Sequence, residues 1–246
     1  MNDISLEEML KSGVHFGHRS SSVYPKMKPF IFSERQGVCV IDLEKTKQAL
    51  KEAQDFFKKI AEKNGNILFV GTKKQASPII KKYAQQINMP YITDRWVGGT
   101  FTNFRVIKKM INKYKNLKNQ KKSGELEKYT KKERLEINEE IERLDQIIGG
   151  IADMDKLPDA VYIVDVKNQK TVINEAVKKN IPIVAMVDVN SNPKGIKNVI
   201  PANDDATKSL ELITKALTES YASQSGTTNK NKKEKEDKDK NNKGEK

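Results

Sequence analysis

The sequence predicts an α/β layer fold, a parallel sheet with helices on both faces and an inserted antiparallel coiled-coil helical hairpin. Three observations predict it. Short apolar runs rich in Val and Ile recur along the chain, as strands covered on both faces require. Helical apolar patterns fall between them. One stretch, residues 104–148, has no strand signal and carries a seven-residue apolar spacing instead.

In chain order, the expected strands are Val38–Ile41, Ile67–Val70, 160–164 and Ile183–Val187. After the first, Ala49, Leu50, Ala53, Phe56, Phe57 and Ile60 share one helical face, and Asn64-Gly65 supplies a stop. Ile79, Ile80, Tyr83 and Ile87 repeat the pattern after the second strand. Val172, Ile173, Ala176 and Val177 do so after the third, and Leu210, Ile213 and Leu217 form the last helical face.

In the insertion, Ile107, Met110, Tyr114 and Leu117 form one seam, and Ile137, Ile141, Leu144 and Ile148 a second. Thr102 or Asn103 can cap the first helix, and Thr130 with Glu133 offers a capping box for the second. Residues 105–122 hold eight basic and no acidic side chains, whereas 125–148 hold eight acidic and five basic ones, a difference that can fix the pairing of the arms. The end of the chain has no apolar residue after Ala222, cannot offset its ordering entropy by burial, and should be disordered. The expected division is an α/β domain over 1–103 and 149–220 that begins with an N-terminal segment over 1–37, a hairpin over 104–148 and a charged tail over 221–246.

Formal charge is +13 over 246 residues, and the tail accounts for only +3 of it. The basic excess therefore belongs to the folded part, which points to a polyanion, nucleic acid ahead of a membrane surface. Cys39 is the only cysteine, so neither an intrachain disulfide nor a CxxC site is possible, and it reads as a small buried residue. The acidic N-terminus is no secretory signal, and no apolar window reaches the length of a membrane span, so a cytoplasmic protein is expected.

The stretch ILFVGTKKQAS runs from a strand through Gly71, Lys73 and Lys74 into a helix. A phosphate-wrapping loop needs a second glycine before its lysine, and none is present; nor is there a GxGxxG for a dinucleotide. Two readings stand for Lys73 and Lys74, solvated turn lysines or a phosphate contact at a helix N-terminus. In VHFGHRSSSVYPKMKPFIF, Arg19, Lys26 and Lys28 interleave with Phe16, Tyr24 and Phe30, which suits RNA. Metal ligation would need His18 with Asp188, Asp204 or Asp205, acidic residues that follow strands and could converge at one sheet edge. For Asp204 helix capping is the competing reading. Trp96 reads as a buttress for the hairpin, with Arg95 and Arg105 free to reach phosphate on either side. No catalytic triad, Cys–His pair or paired carboxylate emerges, and both histidines sit near the N-terminus.

The segments LKSGVHFGHRSSSVYPKMKPFIF, ILFVGTKKQA, DRWVGGTFTNF, LPDAVYIVDV and IPIVAMVDVNSNPKGIKNVIPANDDA, in this order, resemble the bacterial small-subunit ribosomal protein two family. The resemblance spans residues 6–217 and departs at Ser20–Ser22, where relatives often carry Arg, Asn or Trp. It implies a flavodoxin-like α/β domain with a protruding coiled-coil hairpin, no enzymatic activity, and binding to small-subunit rRNA near the head–platform junction. It also implies neighbouring small-subunit proteins as partners and, in many bacteria, recruitment of ribosomal protein one. Arg19, Lys26, Lys28, Lys73, Lys74, Arg95 and Arg105 are the expected rRNA contacts, with no cofactor beyond a structural metal ion at most. Two rivals are a flavodoxin-like enzyme acting on a nucleotide or sugar phosphate, and a protein-binding adaptor whose charge only solubilises.

Overall fold

The computed structural model describes the backbone of residues 4–241 and the side chains of residues 4–225. Five parallel strands form the central sheet: β4 (Ile67–Val70), β5 (Tyr91–Ile92), β6 (Ala160–Ile163), β7 (Ile183–Val187) and β8 (Asn198–Pro201), in the order β5-β4-β6-β7-β8. Chain order thus starts inside the sheet, steps to one edge, then crosses back and proceeds outward. This is the strand order of a flavodoxin-like doubly wound sheet, whose direction reverses between β4 and β6.

Strict alternation along β4 divides the core. Ile67 and Phe69 face a layer built from α1 (Leu6–Lys11), α2 (Leu43–Glu62), α3 (Ser77–Gln86) and α7 (Thr207–Asn241). Leu68 and Val70 face the opposite layer, which holds α6 (Lys170–Lys178) and the inner residues of α4 (Phe104–Lys122) and α5 (Lys131–Ile148). In the first layer Phe69 and Tyr162 meet edge to face with ring centroids 5.5 Å apart, the geometry aromatic quadrupoles favour. No described helix is long and apolar enough to cross a membrane.

Val38–Ile41 is a strand, β3, but not a member of the parallel sheet. It lies at the centre of a separate antiparallel sheet, between β1 (Phe16–Arg19) and β2 (Ile31–Arg35). Cys39 and Ile41 point into the core while Val38 and Val40 are half-buried, so an unbroken apolar run here marks one covered face, not two. β5 and β8 escape the apolar-run criterion, the first because it is two residues long, the second because it ends in Pro201. Proline is tolerated there because β8 is an edge strand.

Between α4 and α5, Lys113 bonds Glu140 at 2.9 Å and the Tyr114 hydroxyl bonds the Asp145 carboxylate. Ile107, Ile111 and Tyr114 are buried, with Ile141, Leu144 and Ile148 opposite, whereas Met110, Leu117 and Ile137 are only half-buried. The inward stripe is therefore wider than a seam and fuses at its base with the sheet core. The Thr130–Glu133 capping box is present in both directions. Asn103 precedes α4 without a side-chain cap bond, and the Thr102 hydroxyl is used elsewhere, so the expected cap of α4 is absent.

Packing also continues past Ser220. Tyr221 is buried and donates its hydroxyl to Gly65 O at 3.0 Å, although the sequence reading assigns it to the tail. The backbone expected to be disordered continues α7 as far as Asn241, and the rest of the tail lies outside the described residues.

Candidate functional site

In a doubly wound sheet, ligands collect at the carboxyl ends of the strands beside the reversal of strand order. Here Gly71 follows β4, and an added Cβ there would lie 2.7 Å from Ile80 Cγ1. The glycine thus lets the strand end approach α3; close packing explains it without a phosphate. Lys73 follows and turns inward. Its Nζ donates to Asp204 Oδ1 at 2.9 Å and to Asp204 O at 3.2 Å, and lies 2.5 Å from Asp205 Oδ1. Burial alone would lower the lysine's pKa, but the bonds from Asp205 and Asp204 raise it, so Lys73 stays charged. Burial raises Asp204 to about 6, against the opposing pull of Lys73.

The N-terminal segment is laid over the same strand ends. Asn203 donates its backbone N–H to Val14 O and its side-chain amide to Gly13 O, each at 3.1 Å. Tyr24 N donates to Val189 O at 2.8 Å, and His18 Nδ1 meets Asp188 Oδ2 at 2.7 Å. At Gly17 a Cβ would sit 3.0 Å from both Cys39 O and Val189 Cγ2, so the segment lies in close contact. The strand ends are covered by the chain's own backbone and closed by its own ion pairs.

Three of the four metal candidates come together. His18, Asp188 and Asp205 each bring a ligand atom within 4.8 Å of the others, one imidazole and two carboxylates, a donor set that suits a divalent ion such as Zn²⁺. They also satisfy one another directly, since His18 Nε2 lies 3.5 Å from Asp205 Oδ2. Burial pushes the Asp188 carboxyl up, and His18 partly reverses this. Asp204 stands outside the set because Lys73 takes its carboxylate, and it does not cap α7. Asn203 instead closes the turn ahead of that helix, accepting from Asp205 N at 2.9 Å and Ala206 N at 3.2 Å.

The other expected contacts lie on the surface. Arg19 ends β1, Lys26 and Lys28 sit on the 3-10 turn Pro25–Phe30, and Lys74 follows Lys73. Arg95 lies in the loop after β5 and Arg105 in the first turn of α4. All six are exposed, and none has an ion pair among the described residues. Each is free to meet a phosphate; Lys73 is not. Cys39 is buried and its thiol is pushed up by that burial and by Glu34, which keeps it protonated.

Sequence reasoning missed Glu175. This α6 carboxylate is buried and accepts from Gly99 N, Phe101 N, Thr102 N, Thr102 Oγ1 and Trp96 Nε1, at 2.7 to 3.2 Å. Burial alone would raise its pKa; donation from Gly99, Thr102, Trp96 and Phe101 holds it below the usual glutamate value. Trp96 packs edge to face on Phe101, centroids 4.8 Å apart, so its buttressing acts through this clasp. The only signal in the sequence was one acidic residue on an otherwise apolar helical face.

The family model described as "Ribosomal protein S2" matches residues 9–224. Among curated relatives, "Small ribosomal subunit protein uS2" of Hahella chejuensis is 44% identical over 220 residues, 89% of this chain and 87% of that one. The protein of the same name in Marinobacter nauticus is 44% identical over 92% of this chain and 91% of its own. That of Salinibacter ruber is 45% identical over 88% and 68%. With a continuous family match laid on a flavodoxin-like sheet whose strand ends are self-covered, the chain belongs to the ribosomal protein S2 family.

Proposed function

We propose that this chain is a structural constituent of the small ribosomal subunit, binding small-subunit rRNA near the head–platform junction and supporting assembly and translation in the cytoplasm. One observation carries the reading: about nine-tenths of the chain matches proteins named as small-subunit ribosomal proteins, at 44% identity. The geometry agrees with it. A flavodoxin-like enzyme would need open strand ends, and here Lys73, Asp204 and Asp205 close them beneath the N-terminal segment. The family is one of ribosomal proteins, not enzymes.

The residues proposed to contact rRNA phosphates are Lys26, Lys28, Lys74, Arg95 and Arg105, with Arg19 for a phosphate or a base. Lys73 is reassigned to holding the strand ends, where His18, Asp188 and Asp205 can also take a structural divalent ion. The α4–α5 hairpin is proposed as a coiled-coil arm toward neighbouring small-subunit proteins. Phe16 and Phe32, 54% and 74% exposed on the small antiparallel sheet, are proposed as separate apolar contacts for docking ribosomal protein one. The deciding experiment is sedimentation of a native lysate through moderate salt. Co-migration with small subunits supports the reading, and recovery of the protein only in the free fraction overturns it.

A further inference from the structure

We infer that a lysine-rimmed groove between α6 and the loop after β7 seats one unstacked RNA nucleotide. This rests on the rRNA-binding reading and adds a place where a base leaves the strand. The groove is about 660 Å³, within the size range of small-ligand sites. Its apolar lining is buried Val166 and Ile173, with Val177, 49% exposed, and Tyr24 beside them. Its rim carries Lys167, Lys170, Lys178 and Lys194, all exposed and none with an ion pair among the described residues.

Charge decides what fits. None of the residues lining this groove is acidic. The larger groove of about 880 Å³ beside α4 and α5 differs, because Lys115 and Lys118 there are tied to Asp153 and Asp145. Asp94, Asp145 and Asp153 offset most of the lysine charge in that groove, whereas no carboxylate offsets it in this one. The walls are also preformed. Gly195 has φ +86°, and a Cβ on it would lie 3.0 Å from Val177 Cγ2, so the loop packs directly against α6.

A nucleotide uses both features. Its base covers the aliphatic and aromatic floor while flanking phosphates reach the ammonium groups of the rim. Asn174 on the same wall offers an amide donor and acceptor to a base edge. An acidic peptide would satisfy the lysines but leave the apolar floor uncovered.

The test uses the full-length chain with a labelled single-stranded RNA oligonucleotide, its duplex, an oligoglutamate peptide and a small-subunit rRNA fragment. Two variants are compared with wild type: Lys167, Lys170, Lys178 and Lys194 all changed to Ala, and Val177→Asp. Both alter exposed positions, and thermal melting checks that they fold. The fourfold variant should bind the single strand at least about tenfold more weakly, with a salt slope lower by about 0.7 for each lost phosphate contact. Val177→Asp should weaken the single strand and spare the duplex. Equal loss for both RNAs would mean a charge patch without a base seat and overturn the inference. So would tighter binding of oligoglutamate, lost in the same variants, which would assign the groove to an acidic protein segment. Wild-type affinity in both variants, with wild type still binding the rRNA fragment, would discard the groove and keep the parent reading. Failure of wild type to bind the fragment would remove both.

Discussion

Lys73 Nζ lies 2.9 Å from Asp204 Oδ1, and this pair sits where a doubly wound sheet ordinarily keeps its ligand open to solvent. The same lysine also holds Asp205, so one side chain ties the turn after β4 to the segment after β8. It joins the two strands across β6 and β7. A phosphate-binding role would require this bracket to come apart.

Lys73 and Lys74 should therefore separate in their effects. Lys73→Ala leaves the buried Asp204 carboxylate without its cation and should cost about 3–5 kcal/mol of stability. Lys74→Ala should leave melting unchanged and weaken rRNA binding, because the side chain is exposed and unpaired among the described residues. Thermal melting and filter binding on the two single variants check this. Equal stability with a larger binding loss for Lys73→Ala would return Lys73 to the RNA interface.

The titration of Asp204 gives a signed pH dependence. Its folded pKa, about 6, lies above the ordinary value of 3.8, so the native state binds this proton more tightly than the unfolded chain. Stability linked to this group is full below 3.8 and falls as pH rises through 6. Asp204→Asn cannot ionise and escapes that loss. Its melting temperature relative to wild type should rise between pH 5 and pH 8; a constant difference would mean that Asp204 does not titrate there.

Glu175 should behave in the opposite sense. Its pKa is held below the ordinary glutamate value of 4.5, so its contribution is complete above 4.5 and lost as pH falls through the lower folded value. Glu175→Ala strands three backbone amides and the Trp96 indole and should cost about 3 kcal/mol or more. Glu175→Gln keeps the shape with a single acceptor oxygen and should cost less. The gap between wild type and Glu175→Gln should narrow below pH 4.5 in acid melts.

If the exposed cations neutralise phosphates, log affinity for rRNA must fall linearly with log salt, and each of Arg19, Lys26, Lys28, Lys74, Arg95 and Arg105 changed to Ala should reduce the slope by about 0.7 to 0.9. The loss should be similar across RNA sequences, because phosphate contacts position without reading bases. A slope unaffected by the combined substitution would falsify this set as the phosphate interface.

Much of this arrangement was legible in residue order. Ile67–Val70 and Ile183–Val187 are buried at every position, as their unbroken apolar runs led one to expect. The Thr130–Glu133 box is local, and its spacing suffices to read it. The long-range partners were hidden. Nothing near Lys73 in sequence announces Asp204, 131 residues away, and nothing near Trp96 announces Glu175, 79 away. Val38–Ile41 misled because a run of four apolar residues does not say whether its second face is covered by helix or left half open.

The hairpin prediction follows from where its apolar residues go. Ile107, Ile111, Tyr114, Ile141, Leu144 and Ile148 share a cluster with the sheet residues Leu68 and Val161, so the base of the hairpin is body core. The distal part is different: Leu117 and Ile137 are half-buried and line one shallow groove together, so a short Gly/Ser linker can join their positions. Replacing residues 118–136 removes one buried side chain, Leu126, and should leave one cooperative transition with a modest shift, since loop length itself costs little. Replacing 108–143 removes buried Ile111, Tyr114 and Ile141, each worth about 2–5 kcal/mol as a large-to-small change, and should lower or abolish cooperative melting. The same logic applies to the chain end: truncation after Ser225 should leave melting unchanged, whereas truncation after Ser220 removes buried Tyr221 and its bond to Gly65 and should lower it. Calorimetry on the two replacements and two truncations checks both pairs, and equal melting within either pair would show that the added segment contributes nothing to the core.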